Sequence, residues 1–118
     1  MTSPEAVTAL AALAQEHRLA VFRLLVQAGS AGLPAGQIAE RLGIAAPTLS
    51  FHLAHLKHAG LAQFRRAGRS LIYAANFEAM NALMAYLTEN CCGGNPCYPV
   101  SGCSTVSVSS PRVVEPKA

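Results

Sequence analysis

The chain has 118 residues, 52% of them hydrophobic, which sets one domain of ordinary size with ample apolar material for a core. Its opening has no basic n-region, and Glu5, Gln15, Glu16, His17 and Arg18 break any apolar run well short of a membrane span, so a cytosolic protein with no membrane partner is expected. The net charge of +3 is unevenly placed: Arg41, Lys57, Arg65, Arg66 and Arg69 fall between residues 41 and 77 with no Asp or Glu among them, a pattern that reads as a solvated face or a nucleic-acid footprint.

In chain order, AVTALAALA is small and apolar, and residues 16–27 carry Leu19, Phe22 and Val26 at helical spacing with Leu24 and Leu25 one step off the stripe. Two helices are expected. The glycine-bearing turn AGSAGLP ends the second. Pro34 suits the first turn of a third, PAGQIAERLG, whose Ile38, Ala39 and Leu42 make an inward face and which Gly43 stops. After a short connection, APTLSFHLAHLKHAG places Leu49, Leu53 and Leu56 at i, i+4 and i+7, and Gly60 closes this fourth helix. Two short helices around a tight turn form a helix-turn-helix pattern, in which the fourth presents its polar face to a groove; many helical hairpins share the spacing.

The next stretch sharpens that pattern. LAQFRRAGRSLIYAA has a polar, glycine-bearing centre between two strand-like runs, a hairpin with Arg65, Arg66 and Arg69 at its tip. Basic groups there fit a wing laid along the phosphate backbone or into the minor groove of double-stranded DNA. A last helix runs from Phe77 to about Asn90, with Met80, Leu83, Met84 and Leu87 on a wide apolar arc. Such an arc, with Leu10 and Leu13 of the opening helix, suits pairing with a second copy, because operators are usually read by two-fold dimers. The expected class is mainly α with a small β-hairpin, a winged helix-turn-helix with a helical dimer interface. Residues 1–90 form the DNA-binding and dimerisation domain, residues 91–103 a Cys-rich loop, and residues 104–118 a loose Ser, Val and Pro-rich tail.

All four cysteines, Cys91, Cys92, Cys97 and Cys103, lie in NCCGGNPCYPVSGC. In a reducing cytosol such a cluster is more readily a ligand set or a redox sensor than a structural crosslink. Catalysis is not expected: Cys91 and Cys92 sit at the C-terminal end of a helix, where the dipole disfavours the thiolate, and no partnered base is apparent.

Together the stretches LAALAQEHRLAVFRLL, IAERLGIAAPTLSFHLAHLKHAGL and RRAGRSLIYAA resemble the ArsR/SmtB family of winged-helix metal- and metalloid-responsive repressors, over roughly residues 10–97. The resemblance implies a homodimeric repressor that occupies its operator when ion-free and leaves when an inducer binds. Its recognition helix would be residues 47–58, with Thr48, Ser50, Phe51 and His52 as exposed operator contacts and His55 and Lys57 beside them. Relatives often carry a basic or amide side chain where Phe51 stands. Phe51 offers an apolar contact, for instance to a thymine methyl, so an operator sequence does not carry over.

His52, His55 and His58 form an HxxHxxH run that could be read as zinc ligands, but cysteine or carboxylate partners are missing nearby, and phosphate donation is the simpler role. The final helix lacks the His and Asp/Glu ligands of zinc-sensing relatives, and LPAGQIAE lacks the cysteines that some arsenic sensors carry before the recognition helix. NCCGGNPC instead looks like the thiol site that other arsenic sensors place just beyond the last helix. Trivalent arsenic is soft and takes three thiolates in a pyramid. Gly93 and Gly94 let the chain bend back, so Cys91, Cys92 and Cys97 are the expected ligands, with Cys103 as a substitute for Cys97 and antimonite as an alternative inducer. The alternative is a zinc- or redox-responsive repressor using the same cluster, although vicinal cysteines chelate a tetrahedral ion awkwardly. No organic cofactor is expected.

Overall fold

The first helix, α1 (Ser3–Leu13), begins where Thr2 and Glu5 close a reciprocal cap: the Thr2 amide donates to Glu5 Oε1 at 2.8 Å and the Glu5 amide donates to Thr2 Oγ1 at 3.4 Å. Hydrogen bonding to the carboxylate from Thr2, first from its backbone amide and then from its side chain, lowers the Glu5 pKa from its ordinary value. The computed structural model describes residues 1–94, so the expected tail and the positions of Cys97 and Cys103 lie outside the described residues. The chain divides into two units, Met1–Met80 and Asn81–Ala118.

In the first unit, α1 buries the small side chains of Ala6, Ala9 and Ala12, which lets it approach α2 (Glu16–Ala28) and α4 (Ala46–His58) closely. The α1–α2 joint is fixed by Arg18, whose Nε donates to the Ala12 carbonyl at 2.7 Å, and by Gln15, whose side chain accepts from the Arg18 amide at 2.9 Å. The core-facing residues of α2 are Val21, Phe22 and Leu25, whereas Leu19, expected on the inner stripe, is exposed. The helix is thus turned so that Val21 and Leu25, four apart, point inward.

Between α3 (Ala35–Leu42) and α4, Gly43 adopts a left-handed φ of 65°, and the Ile44 amide donates to the Ala39 carbonyl at 3.0 Å. This satisfies an end carbonyl of α3 and reverses the chain within three residues, which is the turn of the helix-turn-helix. Ile38, Leu49, Leu53 and Leu56 meet Leu25 and Leu61 in the core, all almost fully buried.

The hairpin is β2 (Ala62–Ala67) and β3 (Ser70–Ala75), antiparallel with Phe64 opposite Tyr73, Arg65 opposite Ile72 and Arg66 opposite Leu71. A third strand, β1 (Leu33–Pro34), joins the outer side of β3 and gives the order β1-β3-β2. From sequence, those two residues were expected as turn and helix start. Pro34 fits an edge position because it has no amide proton to offer the sheet. Gly32, just before, has φ 74°, and a Cβ there would collide with the Tyr73 backbone, so β1 reaches β3 only because residue 32 has no side chain.

Asn76 then starts α5 (Phe77–Leu87): its side-chain oxygen accepts from the Ala79 amide at 3.2 Å, its Nδ2 donates to the Gly60 carbonyl at 2.9 Å, and its amide donates to the Leu61 carbonyl at 2.8 Å. The base of the hairpin is thereby tied to both flanking helices. In the second unit, Leu83 is buried while Met84 and Leu87 are exposed. The helix ends at Leu87 rather than near Asn90. The Thr88 hydroxyl turns back to the Met84 carbonyl at 2.9 Å, and Asn90 takes a left-handed φ of 58°. Among the described residues no helix is long and apolar enough to cross a membrane.

Candidate functional site

α4 has two chemically distinct faces. Leu49, Leu53 and Leu56 anchor the inner one, and Thr48, Ser50, Phe51, Ala54, His55, Lys57 and His58 are exposed. Phe51 is the most exposed of the large apolar side chains among the described residues, at 66%. His52, expected among the exposed contacts, is instead 6% exposed: three residues after Leu49 and four before Leu56, it falls on the leucine stripe. It packs against the ring of His17 on α2 at 5.6 Å, and its Nδ1 has no hydrogen-bond partner. Burial, followed by the Arg18 charge and the neighbouring His17 and His55, pushes the His52 imidazole below its ordinary pKa. It is a core residue on the inner face of α4, not one of its exposed side chains.

His55 and His58 line, with Val7, Thr8, Ala11 and Ala12 of α1, a cleft of about 330 Å³. The HxxHxxH run is therefore split, with one imidazole inside and two outside. No cluster of three metal-ligating side chains occurs among the described residues.

The hairpin is exposed from Gln63 to Ser70. Strand alternation puts Phe64 and Arg66 on one face and Arg65 on the other, with Arg69 in the tip. On the first face Phe64 packs against Tyr73 with ring centroids 5.6 Å apart, and Lys57 Nζ lies 4.7 Å from the Phe64 ring centroid. This cation–π contact joins the C-terminal part of α4 to the wing, so the Lys57 and Arg66 charges belong to one basic edge. Neither Phe64 nor Tyr73 stood out in the sequence as part of the site; their pairing across a two-residue hairpin turn was the available signal.

Beyond α5, Cys91–Gly94 forms a tight turn in which Cys92 is left-handed, with φ 56°. Both cysteines are exposed, and their sulfurs lie 3.7 Å apart. Cys92 is disulfide-bonded in this structure, so the two sulfurs are not a pair of thiolates here.

A helix-turn-helix domain family matches residues 13–62, a span that runs from the end of α1 through α4 to the start of β2. The HTH-type transcriptional regulator YgaV of Escherichia coli K12 is 31% identical over 91 residues, 77% of this chain and 90% of that protein. The transcriptional activator HlyU of Vibrio cholerae is 30% identical over 79% of this chain and 83% of its own length. Among solved structures, an ArsR-like regulator from Rhodococcus sp. RHA1 superposes with TM-score 0.64 at 29% identity, covering 74% of this chain and 78% of the other. The homodimeric winged helix-turn-helix domain of Mb0332 from Mycobacterium bovis, described as a possible ArsR-family regulator, gives 0.60 at 29% identity, with 74% and 81% covered.

The chain belongs to the ArsR family of winged helix-turn-helix transcriptional regulators. In this ArsR-family chain the matched helix-turn-helix contains α3 and α4, and the relatives are transcriptional regulators, not enzymes. Of the apolar residues expected to pair two copies, Leu10 on α1 and Met84 and Leu87 on α5 are exposed, and Leu13 and Met80 are half-buried. Leu83 is 6% exposed within one chain, so it is a core position rather than an open contact. Val7, at 61% exposed, is an open apolar residue on α1 that the sequence pattern did not single out, three before Leu10 on the same helical face.

Proposed function

We propose that this ArsR-family regulator is a homodimeric repressor of an arsenic-resistance operon that leaves its operator when trivalent arsenic, or antimony, is held by three cysteine thiolates. Cys91 and Cys92 supply two, and Cys97, or Cys103 in its place, supplies the third. The observation that carries the reading is the exposed sulfur pair, 3.7 Å apart in a turn that directly follows the last helix. Soft thiolates select a soft centre, and releasing thiol protons makes the affinity rise with pH.

Thr48, Ser50, Phe51, His55 and Lys57 of α4 contact the operator, and Arg65, Arg66 and Arg69 of the wing neutralise phosphates. The exposed Val7, Leu10, Met84 and Leu87 give each copy apolar surface to cover, and the homodimeric state of the Mb0332 domain supports pairing. Drawing the thiols together at the end of α5 alters the spacing of two recognition helices in such a dimer and lowers operator affinity. Repression rather than activation is a reading of this chain, since HlyU is named an activator.

A second reading is a redox-responsive regulator of the same fold, in which the same clustered cysteines are oxidised instead of binding an ion. Anisotropy of labelled upstream DNA, with the reduced protein titrated in parallel by arsenite, zinc and a mild oxidant, separates the two. Release by arsenite alone, abolished in Cys91→Ser, supports the metalloid reading; release by oxidant or zinc alone replaces it.

A further inference from the structure

Phe51 is the feature of the DNA-binding face that polar readout leaves unexplained. It lies on the side of α4 opposite Leu49, Leu53 and Leu56, and it is flanked by exposed Thr48 and His55. Its ring is set against two imidazoles of the same helix: edge-on to buried His52 at 6.0 Å and tilted over His55 at 5.9 Å. A buried imidazole thus lies against the edge of the ring, while Phe51 itself stays 66% exposed. An exposed ring at this place on α4 is available for an apolar contact with a partner.

The surroundings define the partner. Residues 41–77, the stretch that holds Phe51, carry Arg41, Lys57, Arg65, Arg66 and Arg69 with no carboxylate, a charge pattern that complements a polyanion rather than the apolar face of another protein. In the major groove, the one apolar group that a base pair presents is the thymine 5-methyl. We infer that Phe51 is a specificity determinant that covers a thymine methyl in each half-site, with His52 and His55 as the positioning residues that hold its ring. This rests on α4 being the groove-reading helix. It adds the base that the helix selects and a way to detect it without changing the protein.

The test begins with selection of duplexes from a random library by the reduced wild-type protein. Each thymine of the enriched site is then replaced, one at a time, by deoxyuridine, which removes the methyl and keeps every hydrogen-bonding group. The expected result is a thymine at a fixed position whose replacement weakens wild-type binding about fourfold, the factor that corresponds to one buried methyl-sized group. Phe51→Ala, checked for folding by circular dichroism, should bind the thymine and deoxyuridine duplexes equally, because the coupled partner is gone. His52→Leu should keep the fold while reducing the discrimination seen by wild type.

The inference is overturned if no thymine replacement affects wild-type binding, or if Phe51→Ala loses as much as wild type from the same replacement. Should the wild-type protein enrich no sequence at all, the groove-reading role of α4 falls first, and this inference with it. Should Phe51→Ala fail to fold, Phe51→Leu takes its place: a smaller penalty than wild type for the same deoxyuridine replacement is expected, and an undiminished one overturns the inference.

Discussion

The recognition helix and the cysteine turn are built on opposite terms. α4 is locked by Leu49, Leu53 and Leu56, each almost fully buried, and its functional side chains are the ones that the core leaves over. Cys91–Gly94 has no buried residue and bends through left-handed Cys92 and Gly93. The position of the first is set by packing, so disturbing it should cost folding. The second is set by local backbone geometry and thiol chemistry, so altering it should cost response and leave the fold alone.

The largest expected effect lies on the packed side. Leu56→Ala removes a fully buried side chain at the junction of α4 and the hairpin and should lower unfolding stability by about 2–5 kcal/mol in urea titration. DNA binding should fall only as far as the folded population does. On the cysteine side, Cys91→Ser should leave the urea midpoint unchanged, within about 0.5 kcal/mol, as expected for an exposed position. It should abolish an inducer coupling of about 1–3 kcal/mol, read as the ratio of DNA affinities with and without arsenite. A Cys91→Ser protein that unfolds easily would break the contrast.

The wing stands between these extremes. Arg66→Ala should weaken binding to all duplexes alike and reduce the slope of log affinity against log salt by about 0.9, the share of one phosphate contact. An unchanged slope would remove Arg66 from the interface.

How much of this could be read from the sequence depended on the same contrast. The leucines of α4 repeat at helical spacing, and the arginines of the hairpin sit on either side of a glycine, so the helix-turn-helix and wing were legible before any coordinates. His52 was misplaced because its residue type suggested an outward donor, whereas its position, between Leu49 and Leu56 on the same stripe, dictated burial. β1 escaped notice because a two-residue strand has no periodicity, and its pairing depends on the close approach that Gly32 permits to Tyr73. The cysteine turn was legible only as residue chemistry: softness suggested the ion, but no periodicity specifies the left-handed Cys92 or the 3.7 Å sulfur spacing.

The smallest expected effect comes from His52. Its folded pKa is depressed, so the unfolded chain binds the extra proton first as pH falls below about 6.5. Stability is therefore full above that pH and declines as pH drops toward the folded value, below which the slope from this group vanishes. Urea midpoints of wild type and His52→Gln between about pH 5 and 7.5 check this, with the variant expected to be flatter in that window. Equal slopes would assign the acid sensitivity to other groups.

The central claim is that a thiol site set in a solvent-exposed turn is thermodynamically linked to a helix set in the core. Calorimetric titration of arsenite into the reduced protein, free and saturated with its upstream DNA, tests it most directly. Linkage requires that DNA weaken arsenite binding by the same factor by which arsenite weakens DNA binding, about 5–150-fold for a coupling of this size. Equal arsenite affinity in the two states would show that the cysteines bind without signalling, and the sensor assignment would fail even if the DNA-binding half stood.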